Sequence, residues 1–183
     1  MPSDLDPPRI GISRCLLGDE VRYDGGHKRE DTLVSELGRH VEWVPVCPEM
    51  EVGMGVPREP IQLVASVDGV RSESARVRMV GVLSGEDWTA RMEQWARARV
   101  HAFAALRVSG FVLKARSPSC GPHDVPVHGH GNDAHTLRGR GLFAEALDEG
   151  LPGLPIEDEE GLRDPDARQR FLDRVLAYQT ERR

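Results

Sequence analysis

Apolar and polar positions along this chain alternate between short strand-like runs and stretches of helical period. Arg9 to Ser13 reads as a strand and Cys15 to Gly26 as a loop. Lys28 to His40, with Leu33, Val34 and Leu37 at helical spacing, reads as a helix ending near Gly38. Val41 to Val46 is a second strand, and the Gly- and Pro-rich run P-E-M-E-V-G-M-G-V-P-R-E-P after Cys47 is a long loop of the kind that carries function. Ile61 to Val67 and Val70 to Val77 flank an Asp68-Gly69 pair, which predicts a hairpin with Arg71, Arg76 and Arg78 on a solvated face.

Ser84 as N-cap, Glu86 and Asp87 in the first turn, and Trp88, Met92, Trp95, Phe103 and Leu106 near helical period predict a long core-facing helix. Gly110 to Ala115 follows as a strand. The segment between Cys120 and Gly141 reads as irregular and holds His123, His128, His130 and His135, without a metal-site spacing. Gly141 to Glu149 reads as a helix, Leu151 to Ile156 as a last strand, and Asp164 to Tyr178 as an amphipathic helix. Strands alternating with helices predict an α/β chain: one Rossmann-like domain over 1–183, a mostly parallel sheet with helices on both faces, and a small β-hairpin.

Three segments share one grammar. R-I-G-I-S-R-C, V-E-W-V-P-V-C-P and G-F-V-L-K-A-R-S-P-S-C-G-P each run an apolar strand into a turn holding a single cysteine, and Cys15, Cys47 and Cys120 are the chain's three cysteines. The carboxyl ends of strands are where open α/β sheets place their chemistry. An odd number of widely spaced cysteines in 183 residues argues against a secreted disulfide framework. With a net charge of −6 and no apolar run long enough to span a bilayer, the chain reads as cytoplasmic, with no membrane partner and no general affinity for polyanions.

Three thiolates at strand ends could hold zinc or an iron–sulfur cluster. Structural zinc favours close pairs such as C-x2-C, which this chain lacks, so a larger polynuclear group suits the spacing better. A cubane normally takes four thiolates, so three would leave one iron open, a thiophilic Lewis acid able to receive a substrate's sulfur. Glu49, two residues past Cys47, could move protons beside such a group, and Ser117 lies three residues before Cys120. Asp24, Gly25 and Gly26 form a turn whose amides could hold a small ligand.

The motifs C-L-L-G-x-x-V-R-Y-D-G-G-H-K-R, P-V-C-P-E-x-x-x-G-M-G-V-P-R-x-P and L-K-A-R-S-P-S-C-G closely resemble the TudS family of thiouracil desulfidases. The resemblance implies a 4Fe-4S cluster bound by Cys15, Cys47 and Cys120 with one open iron. It implies a non-redox desulfuration of a thiolated uracil, in which oxygen from water replaces sulfur and hydrogen sulfide leaves by way of a cluster-bound extra sulfur. By motif position Glu49 is the acid–base carboxylate, Ser117 the active-site serine, and Asp24 and Lys28 position substrate.

The C-terminal part resembles the branch that acts on 4-thiouridine in tRNA, without that branch's second domain. The substrate expected is a small thiolated pyrimidine base or nucleotide (2-thiouracil, 4-thiouridine or its monophosphate), favoured over tRNA held by a separate partner because the chain is acidic. Two competing readings are an iron–sulfur sensor acting through a partner, with a histidine as fourth ligand, and a structural zinc protein.

Overall fold

Alternate residues of two neighbouring strands feed two separate cores. Ile10, Ile12 and Val112 are fully buried in one, Phe111 and Leu113 in the other. That two-sided burial is the signature of a parallel sheet covered on both faces. The computed structural model describes residues 6–65, 77–129 and 137–182. Its first sheet has the order β2 (Glu42–Val46), β1 (Arg9–Ser13), β5 (Val108–Leu113), β8 (Ile156–Asp158), with every pairing parallel. Helices α4 (Thr89–Ala105) and α5 (Leu142–Gly150) cover one face through Ala96, Val100, Phe103, Phe143 and Leu147. Helices α2 (Asp31–Glu36) and α6 (Pro165–Glu181), with a 3-10 turn at Leu37–Arg39, cover the other through Leu33, Leu37, Phe171 and Val175.

The order places the chain's change of direction between β1 and β5. From β1 the chain moves outward to β2, and β5 adds on the other side, so a crevice opens at the carboxyl ends of those two strands. A second sheet, β4 (Val77–Gly81), β3 (Ile61–Ala65), β6 (Val125–His128), β7 (Leu137–Gly139), walls that crevice. It is mixed, antiparallel at β3–β4 and β6–β7 and parallel at β3–β6.

Several sequence expectations are corrected. The segment after Cys120 is not irregular throughout: Val125 and Val127 alternate inward, fully or nearly buried, and make a strand that the surrounding histidines and glycines obscure. The hairpin exists, but Ala65 pairs with Val77, a different register from the one a two-residue turn at Asp68-Gly69 would give. That turn, Arg71, Arg76, His130 and His135 lie outside the described residues. Helix α4 begins at Thr89 rather than Ser84, because Ser84 Oγ closes a turn onto the Glu86 amide and Asp87 receives the Thr89 amide instead. Leu151 and Leu154 pack into the core as turn residues, and the last strand begins at Ile156. Helix α2 begins at Asp31, since the preceding residues are tied to the Cys15 turn.

Candidate active site

Cys15, Cys47 and Cys120 follow β1, β2 and β5 respectively, and all three line one cavity of about 270 Å³ at the carboxyl ends of these strands. Each thiol is buried. Cys15 does not sit in an open loop. It belongs to a single helical turn, α1 (Arg14–Leu17), whose Cys15 and Leu16 carbonyls accept the Lys28 and Glu30 amides at 2.9 and 3.0 Å. Cys47 directly precedes another short helical turn, α3 (Pro48–Glu51), so the loop expected there opens with a helix that aims Glu49 at the cavity.

Cys120 sits in a turn bolted to the start of α5. The Leu142 and Phe143 amides bind the Pro118 and Ser119 carbonyls at 3.2 and 2.9 Å, and the Gly141 amide binds Gly121 O at 2.8 Å. The approach is so close that a Cβ on Gly141 would stand 2.6 Å from Ser119 backbone atoms, and one on Gly121 would stand 2.4 Å from the Val125 side chain. Only glycine fits at either place.

Burial dominates the thiols' electrostatics. It pushes Cys15 up to about 12, helped by Cys47 and opposed by Lys114 and Arg22. Burial likewise raises Cys120, with Glu49 and Cys47 adding to the effect, and it raises Cys47, with Glu49 adding and Arg58 opposing. Cys47 therefore lies within electrostatic reach of both other thiols. A bound cation would favour their thiolates and release protons. Among the described residues no three His, Cys, Asp or Glu side chains close around a single-ion position. Three soft donors spaced around the walls of one cavity, in a fully parallel-strand frame, fit a polynuclear iron–sulfur group.

Glu49 is held at both carboxylate oxygens. Arg58 pairs with Glu49 Oε2, and Ser119 Oγ donates to Oε1 at 2.8 Å. Ser117 Oγ lies 3.1 Å from Ser119 Oγ and accepts the Cys120 amide at 3.2 Å. A carboxylate only accepts, so Ser119 spends its proton on Glu49, and Ser117 must then donate to Ser119. The hydrogen bonds run one way, from the Cys120 amide through Ser117 and Ser119 to Glu49.

Arg58 and Ser119 were not picked out from the sequence. Arg58 also donates to Val21 O at 3.0 Å and Gly55 O at 2.7 Å, and its amide binds Tyr23 O at 2.9 Å. One guanidinium thus joins the loop after Cys15, the loop after Cys47 and the carboxylate. Only a planar fork of donors can tie so many acceptors.

Asp24 and Lys28 stand outside the cavity. Asp24 Oδ1 accepts the Gly26 amide at 3.0 Å, a bond that holds its carboxyl below the usual range, and closes the turn that delivers Arg22 and Tyr23 to the cavity wall. Lys28 is exposed and reaches the site through its amide on Cys15 O. Of the histidines, His123 bridges Asp124 and the buried Asp158, each at 3.2 Å, and neither it nor His128 lines the cavity. At the end of β5, Lys114 pairs with buried Glu159, whose other oxygen accepts the Ala115 amide at 2.7 Å, and this anchors the strand that leads to Cys120.

The family model described as 2-thiouracil desulfurase matches residues 10–159. A solved structure described as a [4Fe-4S]-dependent thiouracil desulfidase, TudS, superposes with a TM-score of 0.66 at 27% identity, covering 89% of this chain and 97% of that one. An uncharacterized protein of Bacillus subtilis strain 168, YbbK, is 32% identical over 113 residues, which is 61% of this chain and 72% of that protein.

Proposed function

The chain belongs to the 2-thiouracil desulfurase family, and from that premise we propose that this enzyme replaces the sulfur of a thiolated uracil with oxygen from water and releases hydrogen sulfide. The exchange converts a thiocarbonyl and water into a carbonyl and hydrogen sulfide, so it needs no oxidant or reductant. The observation that carries the reading is the convergence of Cys15, Cys47 and Cys120 on one cavity beside Glu49.

In this reading Cys15, Cys47 and Cys120 would hold a 4Fe-4S cluster, three protein thiolates for a group that normally takes four. When bound, that cluster would supply a thiophilic Lewis acid for the substrate's sulfur. Glu49 takes the proton from the attacking water and returns it to the departing sulfur, with Ser119 and Arg58 fixing the orientation of its carboxylate. Ser117 donates at the cavity wall and holds the Cys120 turn. Arg22 and Tyr23 form the part of the wall where a pyrimidine would lie, and Asp24 and Lys28 position substrate indirectly, Asp24 by closing that turn and Lys28 by holding the Cys15 turn through its amide. The chain's net charge of −6 favours a free base or nucleotide over a base within tRNA. We also assign residues 1–183 to one desulfidase domain acting in the cytoplasm.

Iron and acid-labile sulfide should each be present at about four per chain in protein purified without oxygen. Such protein should release sulfide from 2-thiouracil or 4-thiouridine monophosphate. Zinc in place of iron, or equal turnover by cluster-free protein, would overturn the proposal.

A further inference from the structure

Five charged side chains line the cysteine cavity: the guanidinium groups of Arg14, Arg22, Arg58 and Arg116 and the carboxylate of Glu49. Three of those guanidinium groups are already spent on carboxylates. Arg58 covers Glu49, Arg14 donates from Nε to Asp19 at 2.7 Å, and Arg116 grips both oxygens of Glu160 at 2.7 and 2.5 Å. Arg22 is the exception, and its side chain makes no hydrogen bond among the described residues. Asp24 Oδ1 stands 3.7 Å from Arg22 Nε, beyond hydrogen-bond reach, and already accepts the Gly26 amide at 3.0 Å.

The unspent arginine is nevertheless held in place. Its amide donates to Gly26 O at 3.2 Å and its carbonyl accepts the Gly25 amide at 2.9 Å, so the turn that carries it is closed from both ends. Its guanidinium carbon lies 5.4 Å from the Tyr23 ring centroid, and the side chain is 23% exposed, within reach of a ligand in the cavity. The preceding residue, Val21, gives its carbonyl to Arg58, the same guanidinium that holds Glu49. One side chain thus ties the Arg22 turn to the carboxylate. The two groups also stand beside different thiols: Arg22 opposes the burial-driven rise of Cys15, whereas Glu49 adds to that of Cys47 and Cys120. The cavity therefore offers a fork that only donates near one thiol and a carboxylate that only accepts near the other two.

We infer that Arg22 reads the ring carbonyl of the substrate, so that the site takes thiolated pyrimidines carrying an oxo group and rejects those carrying an amino group in its place. The ligand class rests on the desulfuration reading, while the part given to Arg22 has a test of its own. A thiouracil keeps one carbonyl beside its thiocarbonyl, and that oxygen, with two lone pairs, accepts both N–H groups of a guanidinium fork. 2-Thiocytosine instead sets an amino group there, donor against donor. A site built to donate to an oxygen rejects an analogue that lacks it, because its own donors are then left unpaired.

Calorimetric titration of the anaerobically purified full chain with uracil and with cytosine, iron being counted in each preparation, tests this without turnover. Uracil should bind about tenfold tighter than cytosine, the usual weight of a hydrogen bond to a charged group. Arg22→Ala should weaken uracil binding about tenfold and leave cytosine within about twofold, with iron and melting temperature at the parent level. Arg22→Lys should recover part of the preference, since an ammonium keeps the charge and loses the fork. In sulfide release, Arg22→Ala should raise KM for 2-thiouracil more than it lowers kcat. Equal weakening of both bases, an undiminished uracil preference in Arg22→Ala, or no saturable uracil binding by the parent would overturn the assignment. A parent that prefers uracil through Arg22 yet releases no sulfide from thiolated uracils would sustain it and overturn the desulfuration reading instead.

Discussion

Arg58 covers Glu49: the guanidinium side chain is 7% exposed and the carboxylate beneath it 16%, and the same guanidinium ties Val21 and Gly55. Removing one member of a buried ion pair leaves the other desolvated and alone, which costs about 3–5 kcal/mol. Arg58→Ala should therefore lower unfolding free energy by about 3 kcal/mol in denaturant titrations. Arg58→Lys should recover only part of it, because a single ammonium cannot reach Glu49 and two carbonyls together.

Glu49→Gln separates chemistry from architecture. The amide keeps an acceptor for Ser119 but cannot serve as a base near neutral pH, so turnover should fall by about 100-fold or more while iron content stays at the parent level. Loss of iron together with activity would instead make Glu49 a structural support of the cysteine turns. Ser119→Ala, which frees one carboxylate oxygen, should give a smaller, several-fold drop.

Each cysteine should matter equally to cofactor retention and little to folding. The thiols come from three different strand ends, so serine at 15, 47 or 120 removes one wall contact without opening a core cavity. Anaerobically purified variants should keep their circular dichroism and lose most of their iron and labile sulfide. A variant retaining full iron would show that its cysteine is not a ligand.

The sequence made the three strand-to-cysteine turns legible because an apolar run followed by Ser, Pro or Gly has one natural reading, a strand end. The order β2, β1, β5 did not follow from that pattern, because hydrophobic periodicity does not record which strands pair. Arg58 was not legible: its partners, Glu49, Val21, Gly55 and Tyr23, converge only after two loops fold onto each other, and no spacing records that. Val125 and Val127 were missed because their strand is short and set among histidines and glycines. Asp24 and Lys28 sit in a recognisable motif, yet in the fold the first shapes a turn and the second acts on the Cys15 turn through its backbone. A motif position does not reveal which atom of the residue does the work.

The Cys120 turn can be disturbed without touching a ligand. A methyl group at Gly141 would meet Ser119 backbone atoms at 2.6 Å and the Cys120 nitrogen at 2.9 Å, so Gly141→Ala must push the turn and α5 apart. Overpacking of this kind costs about 1–3 kcal/mol. Iron occupancy should fall along with the melting temperature. Unchanged iron would mean that the turn yields without moving the cysteine.

Asp87 predicts how the fold responds to acid. Burial raises its carboxyl, but the Thr89 hydroxyl and amide, at 2.5 and 2.9 Å, together with Arg78, outweigh burial and hold it below the ordinary carboxylate range. A folded-state pKa below the unfolded value of about 3.9 means that the unfolded chain binds the proton more readily. The stabilisation is then complete above that value and is lost as pH falls through the lower, folded-state pKa. Asp87→Ala should cost about 1 kcal/mol at neutral pH, the usual net worth of a side-chain hydrogen bond. The gap between variant and parent should narrow below about pH 4. Denaturant midpoints measured from about pH 7 to about pH 3 decide the matter: a gap that stays constant with pH would assign the loss to the Thr89 turn geometry rather than to the charge on Asp87.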